Sequence, residues 1–385
     1  MRKPPQPRKT IHQGKKYCMQ PKRSLIYILT ALITLPLFGT VAPATTIDII
    51  QTFDFPEATA TLPQKISDQT VLVGTTIFSN GTVKAFIYKP LKHKFSPAFA
   101  PSFDTGHFTQ GRGINFRRHA CGESLNASDS TLHGYLMTHP NCTPTPSPTP
   151  TAIPMSRAIA SDLPFGDDPA GQPLCPLVFT PFDLTSALNT IPLGINNAGD
   201  LVGTANFGDG TQPAFVSLHG TVTMFAVPDA TATFAYQLNS TNQIIGYYID
   251  SNEMKHGYTR DSAGVLTYPI DVLGATETLL LGNNDSNWGV GRYTDTLGVT
   301  HGLFYVTPDD ILTYDYPGAT YTSLNGINKD GLICGYYNDT AGVSHGFVAQ
   351  VNLTGNGKPN TNTRMAPVKP SYVLPEVSGI ASPAL

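Results

Sequence analysis

Residues 323–351 read SLNGINKDGLICGYYNDTAGVSHGFVAQV, and the same pattern is written several times further upstream. Asn328-Lys329-Asp330-Gly331 and Asp339-Thr340-Ala341-Gly342 carry the Asn, Asp and Gly of tight turns. Between them, residues 332–338 are β-branched, aromatic and too few for a stable helix, which predicts a strand. Leu332, Cys334 and Tyr336 fall on one face of it and Ile333, Gly335 and Tyr337 on the other, so neither face is plainly for water. A sheet of such strands needs cover on both sides. Just upstream, residues 311–319 supply a fourth strand, stopped by Pro317-Gly318.

The other copies align on two short signatures. Leu-Val-Gly or its equivalent ends at Gly74, Gly203, Gly246, Gly291 and Gly335, with steps of 43, 45 and 44 residues from Gly203 onward. A His-Gly-aromatic signature recurs as His256-Gly257-Tyr258 and His345-Gly346-Phe347, with His301-Gly302-Leu303 followed by Phe304. Lys84-Ala85-Phe86 and Pro213-Ala214-Phe215 are weaker forms, and Ala120-Cys121-Gly122 with His133-Gly134-Tyr135 marks a decayed copy. The count is six, with a long interruption between the second and third.

Residues 1–24 hold eight Lys or Arg and no acid, residues 25–41 are apolar, and Ala42-Pro43-Ala44 follows. This order predicts a secretory signal peptide cut after Ala44, with Met19 an alternative start. An N-terminal membrane anchor is the competing reading, because about 17 apolar residues is the lower limit for a span. The whole chain has 24 basic and 27 acidic residues; without the leader it has 16 against 27. So acidic a mature protein offers no electrostatic footprint for nucleic acid or an anionic membrane surface.

Residues 143–154, TPTPSPTPTAIP, cannot form a ladder, since so many positions lack an amide donor. The departure spans about 138–178 and is expected to be an excursion from one domain, because the repeats on either side need their neighbours for burial. Residues 352–385 form a Pro-rich tail expected to be disordered.

Six units of about 44 residues, each of four strands apolar on both faces, predict an all-β fold, a β-propeller. An open repeat array or a pair of sandwiches is the alternative. The terminal phase favours closure: Phe53-Asp54-Phe55-Pro56 is the strand type that elsewhere follows a His-Gly-aromatic strand, and the last repeat stops at that strand.

The stretch GINKDGLICGYYNDTAGVSHGF and its siblings resemble the HAF-type repeats of bacterial extracellular proteins, named for a His-Ala-Phe core that is His-Gly-Phe or Lys-Ala-Phe here. The resemblance covers residues 47–351 except the Pro-rich excursion. It implies a secreted bacterial repeat protein. It implies no reaction and no catalytic residues.

Several side chains invite a chemical reading. His133, His256, His301 and His345 hold one equivalent position, and imidazoles at fixed spacing bind metals. A repeated structural hydrogen bond to the adjacent turn is the preferred account, since metal ligands must converge. Asp54, Asp104, Asp183 and Asp315 read as water-facing positions of edge strands, and Asp250, Asp295 and Asp339 as residues capping their own turns. No Gly-x-Ser-x-Gly, His-Glu-x-x-His or phosphate loop is present. No catalytic, cofactor or metal residue is therefore assigned, and no cofactor is expected. Trp288 and Arg292, which interrupt the fifth repeat, are the candidates for a ligand contact.

Four cysteines would follow the leader. Cys121 and Cys334 precede the repeat glycine, where other copies have Val or Ile, so both are expected to be buried thiols. Cys142 and Cys175 bracket the excursion and are expected to form a disulfide contributing about 3.5–4 kcal/mol in the chain-entropy model. These readings together describe a secreted or envelope-associated monomer that binds a polysaccharide or a surface protein without chemistry. The alternatives are a carbohydrate-active hydrolase or lyase, with two carboxylates about 5 to 9.5 Å apart, and a structural envelope component.

Overall fold

The computed structural model describes residues 45–138 and 177–352, all of them in one compact unit. The expected leader, the Cys142–Cys175 disulfide, most of the excursion and the tail lie outside the described residues.

Strands follow one another at the predicted rhythm. β1 (Thr46–Phe53) comes first. Blade 1 is β2 (Ala58–Ile66), β3 (Leu72–Phe78), β4 (Val83–Lys89) and the short β5 (Lys94–Phe95). Blade 2 is β6 (Thr109–Ile114), β7 (Ala120–Asn126), β8 (Thr131–Thr138) and β9 (Val178–Phe182). Blade 3 is β10 (Asn189–Ile195), β11 (Leu201–Asn206), β12 (Ala214–Leu218) and β13 (Thr221–Phe225). Blade 4 is β14 (Ala232–Leu238), β15 (Ile244–Ile249), β16 (Lys255–Arg260) and β17 (Leu266–Ile270). Blade 5 is β18 (Glu277–Asn283), β19 (Gly289–Thr294), β20 (Thr300–Thr307) and β21 (Asp310–Tyr314). Blade 6 is β22 (Tyr321–Ile327), β23 (Leu332–Asn338) and β24 (Ser344–Asn352), with β1 paired antiparallel to β24 as its outer strand.

The first strands touch in the cyclic order β2, β6, β10, β14, β18, β22 and back to β2. The fold is a closed β-propeller. Its closure follows the phase read from the sequence, with Phe53 opposite Gly346 and Thr52 opposite Phe347. The interruption falls elsewhere than expected: it lies inside the second blade, because β9 after the gap pairs with β8 before it.

Strands without a water face are explained by the stacking of blades. Val73 and Ile87 of blade 1 pack against Ile114, Ala120 and Met137 of blade 2. Val290 and Phe304 of blade 5 meet Leu324, Ile333 and Phe347 of blade 6. This burial of apolar surface between neighbouring sheets is the main favourable term in such a fold. Cys121 and Cys334 are free and buried within it, and burial pushes both thiols up to about 12.

The two signatures are register partners. Gly74, Gly203, Gly246 and Gly335 stand opposite Phe86, Phe215, Tyr258 and Phe347 of the next strand. A Cβ on Gly246 would lie 2.0 Å from the Phe234 carbonyl oxygen and 3.0 Å from the Tyr258 ring. Glycine at this point lets the aromatic ring lie flat over the strand and reach the innermost one.

Every first strand also carries a β-bulge at the same place. The bulged residues are Gln64, Arg112, Leu193, Tyr236, Leu281 and Asn325. A bulge bends a strand and re-aims its side chains, and here it recurs six times beside the axis.

Candidate functional site

Each end of the ring, and the axis between them, gathers a distinct set of polar residues. At one end the second-to-third strand turns meet the links between blades. There the four equivalent histidines each face a carboxylate on the following strand: His133 with Asp183 at 3.0 Å, His256 with Asp271 at 2.8 Å, His301 with Asp315 at 2.8 Å and His345 with Asp54 at 2.9 Å. The Nε2 atoms of His256, His301 and His345 point to the turn acids Asp250, Asp295 and Asp339 at 3.7, 3.5 and 3.4 Å. In blades 4, 5 and 6 a tyrosine completes the arrangement, with Tyr248, Tyr293 and Tyr337 stacked on the imidazoles.

The turn acids do cap their own turns. Asp250, Asp295 and Asp339 each accept the backbone N–H groups two and four residues ahead. The same bonds, with the donor four residues ahead foremost, hold all three carboxyls below the ordinary value. Three of the edge-strand acids, Asp54, Asp183 and Asp315, face water as expected, at 41–61% exposed. Asp54, Asp183 and Asp315 are histidine partners, and only Asp104 is occupied by its own loop, accepting from the Gly106 and Phe108 amides and the Thr109 hydroxyl. Asp271 completes the set and escaped the sequence reading; its position 15 residues after His256, against 14 from His301 to Asp315, was the available signal.

Among the described residues, no group of three or more His, Cys, Asp or Glu is arranged to hold a metal ion.

At the opposite end an asparagine ties the turn to the next blade in blades 2, 4, 5 and 6. Asn239 Nδ2 donates to the Asn284 carbonyl at 3.0 Å, Asn284 to that of Asn328 at 3.0 Å, and Asn328 to that of Ser67 at 3.3 Å. Asn115 does the same to Asn196 at 3.1 Å, while Asn196 turns to Asp200. Each Oδ1 meanwhile accepts two amides of its own turn, as at Asn328 from Asp330 and Leu332. Both ends of one amide group are thus used, one locally and one between blades. The recess framed by these turns has a cavity volume of about 40 Å³, room for a few waters and too little for a sugar ring.

Along the axis the charges are internal. Arg112 forms a forked pair with the buried Glu123, at 3.0 and 3.1 Å from Nε and 2.7 Å from Nη2. Lys65 reaches from blade 1 to the carbonyls of Leu281 and, at 3.0 Å, Asn325. The two residues singled out in the fifth repeat are placed apart in character. Trp288 lies in the turn before β19 and packs edge-on against Phe304, centroids 6.1 Å apart, in the core between blades 5 and 6. Arg292 is only partly buried and stands on β19, at the register that Tyr247 holds in blade 4 and Tyr336 in blade 6.

No family model matches the chain, and no curated protein matches it in sequence. Solved structures do. TolB from Acinetobacter baumannii matches with TM-score 0.44 and 11% identity, covering 74% of this chain and 66% of that one. The β-propeller domain of the Trilobed protease from Pyrococcus furiosus matches with TM-score 0.42 and 8% identity, covering 80% and 99%. A lectin from Aleuria aurantia matches with TM-score 0.41 and 9% identity, covering 77% and 96%.

Proposed function

We propose that this is a secreted binding propeller of the HAF-type repeat class that takes a polysaccharide, without chemistry, on the face bearing the histidine–aspartate pairs. One observation carries the reading. The same tyrosine, histidine and two carboxylates recur on three consecutive blades, with the histidines 18–23% exposed and their strand partners Asp271, Asp315 and Asp54 37–61% exposed. Identical polar and aromatic groups at a fixed spacing suit a ligand that itself repeats, because each unit adds a weak contact and the contacts act together. The acids are committed to turns and imidazoles blade by blade, where catalysis asks for one asymmetric cluster.

A protein on the surface of the same or another cell is the second reading. It is favoured by Leu273 and Leu297, 102% and 85% exposed in loops of this same face.

A glycan array probed with the purified protein, beside a hydrolase and lyase panel, tests the proposal. Binding to a repeating glycan that is lost in the His256→Ala/His301→Ala/His345→Ala variant, with no product from the panel, is the expected result. Turnover of a glycan, or retention of none, overturns it.

A further inference from the structure

Arg292 follows Gly291 at the register held by Thr75, Glu123, Thr204, Tyr247 and Tyr336 in the other blades. It is the one cation among these six register positions, and its surroundings differ from those of the other axial charges. Arg112 is matched by Glu123, and Lys65 is given over to two carbonyls. Glu277, the acid on the neighbouring strand, is already occupied by Lys255 at 2.8 Å and Thr294 at 3.0 Å. Among the described residues no carboxylate comes within ion-pair distance of Arg292. Instead β19 packs against β22 of blade 6, the register equivalents of Arg292 in the two neighbouring blades are Tyr247 and Tyr336, and the hydroxyls of Tyr321 and Tyr336 lie 3.1 Å apart.

A guanidinium drawn out of bulk water without a counter-ion is unfavourable unless an anion arrives to meet it. Its fork of donors fits a carboxylate in two parallel hydrogen bonds. Burial raises the Tyr247 and Tyr321 phenols well above their usual value, so these two remain O–H donors toward an anion. Arg292 keeps part of its surface open to solvent.

We propose that Arg292, with Tyr321 and Tyr336, forms a carboxylate-binding site inside the ring. The site is separate from the histidine face and goes beyond the reading given for it. A free small carboxylate and the acid group of a uronic-acid sugar share the required chemistry.

Calorimetric titration of the full chain with D-galacturonate, acetate and D-galactose tests the site. Galacturonate is expected to bind once per chain, more weakly as salt is added, and at least ten-fold more weakly to Arg292→Gln; galactose is not expected to bind. Acetate binding as well as galacturonate identifies a site for carboxylates in general, and galacturonate alone one that also reads the sugar. If Arg292→Gln melts early, Arg292→Lys, which keeps the charge and loses the fork, and Tyr336→Phe are expected to weaken binding in its place. Absence of any carboxylate binding, equal binding of galactose, or affinity unchanged in all three variants overturns the proposal. The histidine-face triple variant is expected to retain this binding, so the two proposals fail separately.

Discussion

Lys65 of blade 1 and Tyr236 of blade 4 meet across the axis of the ring, the ammonium nitrogen 5.5 Å from the phenol centroid. Where Lys65 stands, the next strands have Gly113, Gly194, Gln237, Gly282 and Gly326, each directly after the bulge. The long Lys65 side chain fills space that the four glycines leave, and it binds blade 1 to blades 5 and 6 through two carbonyls.

Burial lowers the Lys65 ammonium from 10.5 to about 7. The unfolded chain then holds this proton over a range of pH in which the folded chain has lost it. Stability from this group therefore rises as pH increases from about 7 toward 10.5. Thermal melts of the wild type and Lys65→Met across that range are expected to diverge, the variant showing the flatter profile. Parallel profiles would mean that Lys65 titrates as it does in water.

The closure at blade 6 rests on β1. Its removal strips β24 of its outer partner, exposes Gly346 to loss of the Phe53 ring that packs on it, and leaves His345 without Asp54. A chain lacking residues 45–56 is expected to melt lower, with faster exchange at the Gly346 and Phe347 amides than at those of blade 4. Unchanged protection at these two amides would contradict closure through β1.

Much of this architecture was legible because it repeats. The Leu-Val-Gly and His-Gly-aromatic signatures are the two strands that pair across the centre of each blade, so their recurrence gave strand number, blade length and the phase of closure. What was illegible does not repeat or joins residues remote in the chain. Lys65 bonds Asn325, 260 residues away, and no periodic pattern marks it. The interblade use of Asn239, Asn284 and Asn328 was hidden behind their turn role, since Oδ1 alone accounts for an Asn at that position. The place of the excursion was missed because β9 reads equally well as the end of one blade or the start of the next, and only its pairing with β8 decides.

Gly246 offers a sharp test of the signature. The Cβ of Gly246→Ala would enter the space of a backbone carbonyl rather than a flexible side chain, so the first and second strands of blade 4 must separate. Overpacking of this kind costs about 1–3 kcal/mol or more. Urea unfolding of the variant is expected to show a loss at the upper end of that range. A loss under about 0.5 kcal/mol, the level of a neutral surface change, would show that the strands give way freely.

Asn284 separates the two halves of the asparagine device. Its Oδ1 accepts the Ser286 and Trp288 amides at 3.0 and 3.2 Å, and its Nδ2 donates to the Asn328 carbonyl of blade 6. Asn284→Asp keeps the acceptor and replaces the donor with an oxygen facing a carbonyl, in a residue only 4% exposed. The turn survives, and the bond between blades becomes a repulsion that costs about 1–3 kcal/mol or more for a charged group. Protonation of the new carboxyl would restore a donor, so its folded pKa lies above the unfolded one and the stability deficit shrinks as pH falls through that folded value. Melts of wild type and Asn284→Asp between pH 4 and 8 are expected to converge at the acid end. A deficit that is constant across this range would show that the lost interaction lies in the turn and not between the blades.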